Sequence, residues 1–284
     1  MTKKIAWVTD STAYLTKELS EHPDVYVLPL SIIFDGEAFE DGVELTTEEL
    51  YERIRSNKEV PKTSQPSAGR FAELYEKLKE NYDAAVAVHI SKKLSGTYNS
   101  SASGRDLAEF NVQLVDSYSM SYAITTLIEK GMILAEKGVP PEEIQEKLQQ
   151  AASRSENYFL LGSLEQFYKG GRMSGTQYLL GNILQIKPII RITPEGEFEL
   201  FQKVRSEKKA IKRMLELLGE SYNKYRINQV QIMHGNIESK AQELKSKVKE
   251  IFPDLDIVIG EISSSIAVHA GEGTLAMIWH NEDK

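Results

Sequence analysis

Short segments that mix hydroxyl side chains with glycine recur along this chain. They are Lys62-Thr63-Ser64-Gln65-Pro66-Ser67, Ser91-Lys92-Lys93-Leu94-Ser95-Gly96-Thr97-Tyr98 and Asp116-Ser117, with His269-Ala270-Gly271-Glu272-Gly273 near the far end. Their shared chemistry is anion binding by neutral donors. Thr63 and Ser95 each offer a hydroxyl proton. Gly96 lets the backbone approach a ligand closely, and Thr97 stands where a helix begins, with outward amides of partial positive charge. His269 adds a ring N–H. A carboxylate held away from water needs several such donors to stay charged. Without a buried lysine pair, the same cradle would also release its ligand more readily.

Each residue type also has a structural reading. Serine and threonine after a strand commonly cap helices, and Asp10 and Asp116 can anchor loops. His269 can be a hydrogen-bonded core residue, while Gly271 and Gly273 can simply permit a turn. A serine hydrolase is the enzymatic alternative, with Ser95 as nucleophile, His269 as base and Asp10 or Asp116 as orienter. The Gly-x-Ser-x-Gly elbow of such enzymes is missing from the sequence. So are the Walker loop, Gly-x-Gly-x-x-Gly and His-Glu-x-x-His, and there is no cysteine. The reading therefore assigns no catalytic residue, cofactor or metal.

The elements that must position these residues follow from the apolar pattern. Ile5–Thr9, Val25–Leu30, Ala84–Ile90 and Val112–Val115 read as strands, with Ile32–Phe34 extended. Helices are expected over Tyr14–Ser20 (capped from Asp10-Ser11-Thr12), from Thr46 with Glu49 as a capping box, and over Ser67–Asn81, Ala102–Ala108, Ser121–Glu136 and Pro141–Ser153. This alternation predicts a largely parallel sheet. Asp10-Ser11, Ser91–Thr97 and Asp116-Ser117 then gather at the carboxyl edge, where such sheets bind ligands. Beyond a boundary near Ser155, strands are expected at Tyr158–Leu161, Pro188–Ile192, Phe198–Phe201, Gln229–Met233, Asp256–Ile259 and Leu275–Trp279. Helices are expected around Tyr178–Leu184, Glu207–Leu218 and Ser239–Ile251. The domains are read as 1–155 and 156–284.

A formal charge of −8 argues against a nucleic-acid partner, which usually needs a basic face. No stretch approaches the roughly 18 apolar residues that span a bilayer. The first residues meet Asp10 too soon for a signal peptide, so a cytoplasmic protein is expected.

The ordered series Thr9-Asp10-Ser11-Thr12, Pro29-Leu30, Lys62–Ser67, Leu94–Tyr98, Asp116-Ser117, Lys169-Gly170-Gly171-Arg172, Ile186–Ile189 and His269-Ala270-Gly271 resembles the DegV family of bacterial fatty-acid-binding proteins. The resemblance covers nearly the whole chain. It implies two α/β domains, the first with a Rossmann-like, largely parallel sheet and the second, lipid-binding one with a mixed sheet (the EDD fold). It further implies one long-chain fatty acid as ligand, its carboxyl group on Thr63 and Ser95 with His269 nearby and its tail in an apolar tunnel. Candidate tunnel residues are Phe159, Leu161, Leu179, Leu180, Ile183, Ile189, Ile190 and Met233. The expected partner is a separate ATP-dependent fatty acid kinase, docking at Arg172, whose acyl-phosphate product enters phospholipid synthesis. Transient exchange of lipid with a membrane would accompany this. In one departure, Glu272 stands where the family pattern has proline; it is expected to face solvent.

Overall fold

The computed structural model describes residues 4–56, 60–172 and 187–284. The chain forms two compact units, each assembled from separate stretches. Met1–Thr47, Pro61–Ser153 and Ser263–Ser265 make the first; Glu48–Val60, Arg154–Ile262 and Ile266–Lys284 make the second.

The first unit holds β1 (Ile5–Asp10), α1 (Lys17–Ser20), β2 (Val25–Leu28), β3 (Ser31–Phe34) and β4 (Glu37–Glu40). After α2 (Thr47–Ser56), which belongs to the second unit from Glu48 onward, come β5 (Lys62–Ser64), α3 (Ala68–Lys79), β6 (Ala84–His89), α4 (Thr97–Ala108), β7 (Val112–Asp116), α5 (Tyr122–Glu136) and α6 (Pro141–Ala152). Its main sheet runs β2-β1-β6-β7, parallel throughout. β1 and β6 are buried at every position, which suits strands covered on both faces. The ends of β1, β6 and β7 lie on one edge, as the alternation predicted. Between α3 and α4 the backbones come very close: a Cβ on Gly104 would stand 2.4 Å from Phe71 Cβ.

One local reading changes, and one segment without a reading finds its place. The first helix is only one turn and is capped by Thr16, whose Oγ1 accepts from Leu19 N. Asp10 does not cap it; its Oδ1 accepts instead from the amide and hydroxyl of Thr12. Thr63 sits on β5, in a separate antiparallel sheet of order β4-β3-β5, opposite Ile32.

The second unit contains β8 (Ser155–Leu160), α7 (Leu164–Lys169), β9 (Lys187–Ile192), β10 (Phe198–Val204) and α8 (Glu207–Lys224). It continues with β11 (Gln229–His234), α9 (Glu238–Ile251), β12 (Asp256–Glu261), α10 (Ser264–Ala270, in this unit from Ile266) and β13 (Leu275–His280). The sheet is mixed, in the order β10-β9-β8-β13-β11-β12, with β11 and β12 parallel. The helix read around Tyr178–Leu184, with Leu179, Leu180 and Ile183, lies outside the described residues.

Period-two alternation divides this sheet into two apolar faces. Tyr158, Leu160, Ile189, Val230, Ile232, Leu275, Met277 and Trp279 share one core with residues of α8 and α9, such as Met214 and Leu244. Met233, Ala276, Phe159 and Ile190 stand in register across four strands and alternate with those core residues. The candidate tunnel residues are thus split: Ile189 belongs to the helix-packed core, whereas Phe159, Ile190 and Met233 share the other face.

Candidate functional site

In the first unit the candidate site begins at the carboxyl end of β6. Ser91 starts the loop, its amide donating to Ser119 O. Lys92 N and Tyr118 N both donate to Asp116 Oδ1 at the end of β7. Burial raises the Asp116 carboxyl above its ordinary range, partly offset by those amides. The loop closes with Ser95 N donating to Ser91 O and then enters α4 through Gly96.

Ser95 Oγ and Thr97 Oγ1 lie 2.8 Å apart, and Thr97 N donates to Ser95 Oγ. Thr97 is buried, while Ser95, Gly96 and Thr63 are partly exposed. Gly96 lets the Gln65 amide lie against the turn: a Cβ would stand 2.2 Å from Gln65 Oε1, and that flexible side chain would have to move aside. Gln65 in turn donates through Nε2 to Ser100 Oγ in the first turns of α4. The Lys62–Ser67 and Ser91–Tyr98 segments are therefore joined side by side through Gln65 and Gly96.

Behind this loop lies a buried polar chain that the sequence reading missed. Asp10 Oδ2 meets His89 Nδ1 at 3.1 Å and also accepts from Ile90 N. His89 Nε2 meets Ser101 Oγ at 2.9 Å, and Ser101 Oγ meets Tyr75 OH at 2.5 Å. Asp10, His89, Ser101 and Tyr75 are all fully buried. Two strand-final polar residues in an apolar sheet, Asp10 and His89, were the available signal, because parallel neighbours bring such ends together.

In the second unit, His269 lies near the end of α10 and Arg172 follows the Gly170-Gly171 turn. A Cβ on Gly170 would stand 2.3 Å from His269 Nδ1, so the turn fits against the ring only as glycine. Arg172 is half-buried, and its guanidinium turns back to donate to the Gly170 carbonyl. It is not a freely solvated arginine, and burial lowers its pKa. Burial, and secondarily the Arg172 charge, push the His269 imidazole down to about 3. His269 is neutral near pH 7 and carries one N–H donor.

Residues 4–282 match a family model described as "Uncharacterised protein, DegV family". A Listeria innocua relative, the DegV domain-containing protein lin2658, is 34% identical over 281 residues, covering 98% of this chain and 99% of its own. The chain belongs to the DegV family. Among solved structures, the fatty acid binding DegV family protein SAG1342 of Streptococcus agalactiae superposes with a TM-score of 0.92 at 30% identity, covering 99% of this chain and 100% of that one. DegV of Bacillus subtilis, described as a fatty acid binding protein, gives 0.88 at 31% identity, with 99% and 100% covered.

Glu272, the departure from the DegV pattern, does not simply point into solvent. Its Oε1 accepts from Arg55 at 2.7 Å and from Asn236 Nδ2 at 2.6 Å. The hydrolase alternative loses its first orienter, since Asp10 is taken up by His89, Ile90 and Thr12. The Asp-His-Ser series around His89 is sealed in the core, out of reach of a substrate carbonyl. Among the described residues no group of three His, Cys, Asp or Glu could hold a metal ion. No helix among them is long and apolar enough to cross a membrane.

Proposed function

We propose that this DegV protein binds one long-chain fatty acid and presents its carboxyl group to a separate ATP-dependent kinase. The observation that carries the reading is the Ser95-Gly96-Thr97 turn. Ser95 Oγ accepts from Thr97 N, and when the Thr97 hydroxyl donates to it as well, the Ser95 proton is left for an external acceptor. Thr63 is assigned as a second hydroxyl donor, the Gly96–Thr97 helix start as an amide donor, and neutral His269 as a ring N–H donor. The acyl tail is assigned to the Met233-Ala276-Phe159-Ile190 face of the second sheet. Each buried methylene contributes about 0.8 kcal/mol, so roughly 14 of them offer on the order of 10 kcal/mol before ordering costs. The tail sets affinity and the donors set the orientation of the head. The fatty acid binding described for the Streptococcus agalactiae and Bacillus subtilis relatives supports the same ligand class.

Mass spectrometry of a denaturing extract tests the reading, with one long-chain fatty acid per protein expected. A lipid-free protein that also fails to take up such an acid would overturn it. Arg172 is assigned to kinase docking. Arg172→Ala is expected to retain lipid while losing kinase-dependent acyl-phosphate formation, and equal rates for variant and wild type would remove Arg172 from that role.

A further inference from the structure

The sequence that opens α4, Thr97-Tyr98-Asn99-Ser100-Ser101-Ala102-Ser103-Gly104, is a poor helix former. The position of its first turn therefore depends on tertiary anchors. Towards the far end, Gly104 packs on α3 and Lys79 Nζ donates to Ala108 O. Near the start, Ser101 is gripped on both sides, by His89 Nε2 and by Tyr75 OH. Ser101 lies one turn beyond Thr97, on the same buried face.

We infer that the buried chain Asp10–His89–Ser101–Tyr75 is a positioning device that fixes the Ser95-Gly96-Thr97 turn for carboxylate recognition. The inference rests on the fatty-acid reading above. A ring proton on Nδ1 facing Asp10 leaves Nε2 to accept from Ser101, while Ser101 accepts from Tyr75. This order satisfies every member of the chain. Phe71 packs edge-on to the His89 ring, with centroids 5.3 Å apart, and holds its plane. Asp10 and His89 close two adjacent, fully buried strands of the central sheet, so the chain ties the start of α4 to the sheet from within, where Gln65 holds it only from the exposed side through Ser100. Removing the Ser101 hydroxyl leaves His89 Nε2 and Tyr75 OH buried without their shared partner, and the first turn of α4, no longer tied to either, is free to shift.

The test compares affinities of delipidated protein for a 16-carbon fatty acid and for the alcohol of the same chain. Wild type is expected to prefer the acid. Ser101→Ala is expected to cut that preference about tenfold while leaving alcohol affinity nearly unchanged, since only the head-group geometry moves. His89→Gln, which keeps a polar group towards Ser101, is expected to lose less than Ser101→Ala. A folded Ser101→Ala with wild-type preference, or with equal losses for both ligands, would overturn the inference. Should Ser101→Ala not fold, Tyr75→Phe decides: a smaller drop in preference supports the device, and an unchanged preference overturns it. A wild type that binds both ligands equally would instead overturn the head-group reading itself, and the inference with it.

Discussion

Both units pack their sheets on apolar cores, but they differ in what else they bury. In the first, the carboxyl ends of the parallel strands enclose fully buried polar residues, Asp10, His89, Ser91, Asp116 and Ser117, in a connected hydrogen-bond scheme. In the second, the corresponding mass is aromatic and aliphatic, with Tyr158 stacked on Trp279 and Phe159 and Phe167 both edge-on to Phe198. Each unit also encloses a histidine, held in a different way. His89 is fixed through both ring nitrogens, whereas His269 sits where burial and Arg172 disfavour its charge. Dispersion and burial act in both units, and in the first the strand ends add directional bonds that specify position.

The largest expected effects break the close packing each unit relies on. Gly162→Ala puts a Cβ 1.9 Å from the Glu272 carbonyl, and Gly104→Ala puts one 2.4 Å from Phe71 Cβ. Each is expected to cost about 2–3 kcal/mol, read from denaturant midpoints. If one is tolerated, that unit's packing is looser than described. Next come Thr63→Ala and Ser95→Ala, each expected to weaken fatty-acid affinity about tenfold with little change in stability, by calorimetric titration. Unchanged affinity in both would remove the polar end from the comparison.

His269 also makes its unit sensitive to pH. His269 has its pKa lowered by folding from 6.5 to about 3. The unfolded chain therefore takes up the proton first, and the stability that His269 confers above 6.5 is lost as pH falls towards 3. Melting curves across that window should fall more steeply for wild type than for His269→Gln, and identical slopes would contradict the buried, neutral ring. The smallest effect belongs to the Arg55–Glu272 pair, whose side chains are 53% and 34% exposed. Arg55→Ala is expected to change stability by under about 1 kcal/mol, by the same denaturant assay.

Apolar periodicity located the central strands, and strand–helix alternation foretold the edge where Asp10, Ser91 and Asp116 meet. Elements with little periodicity escaped. β5 is three residues long with polar side chains, and α10 reads Ser-Ser-Ile-Ala-Val-His-Ala, a run too short to separate helix from strand. α1 shrank to one turn because Asp10 bonds Thr12 locally, leaving Thr16 to start the helix. Apolarity alone nominates the tunnel residues, and it does not register that Ile189 and Ile190 point to opposite faces. His89 and Ser101 were invisible as a pair because only the folded sheet and the α3–α4 contact bring them within bonding distance.

At Gly170 the imidazole of His269 occupies the volume that a methyl group would need in any other residue. Turn and ring are thus closely packed, each bounding the space open to the other. A partner that shifted the turn would change the surroundings of the imidazole, so the nuclear resonance of that ring is expected to move on docking, and an unmoved resonance would separate the two.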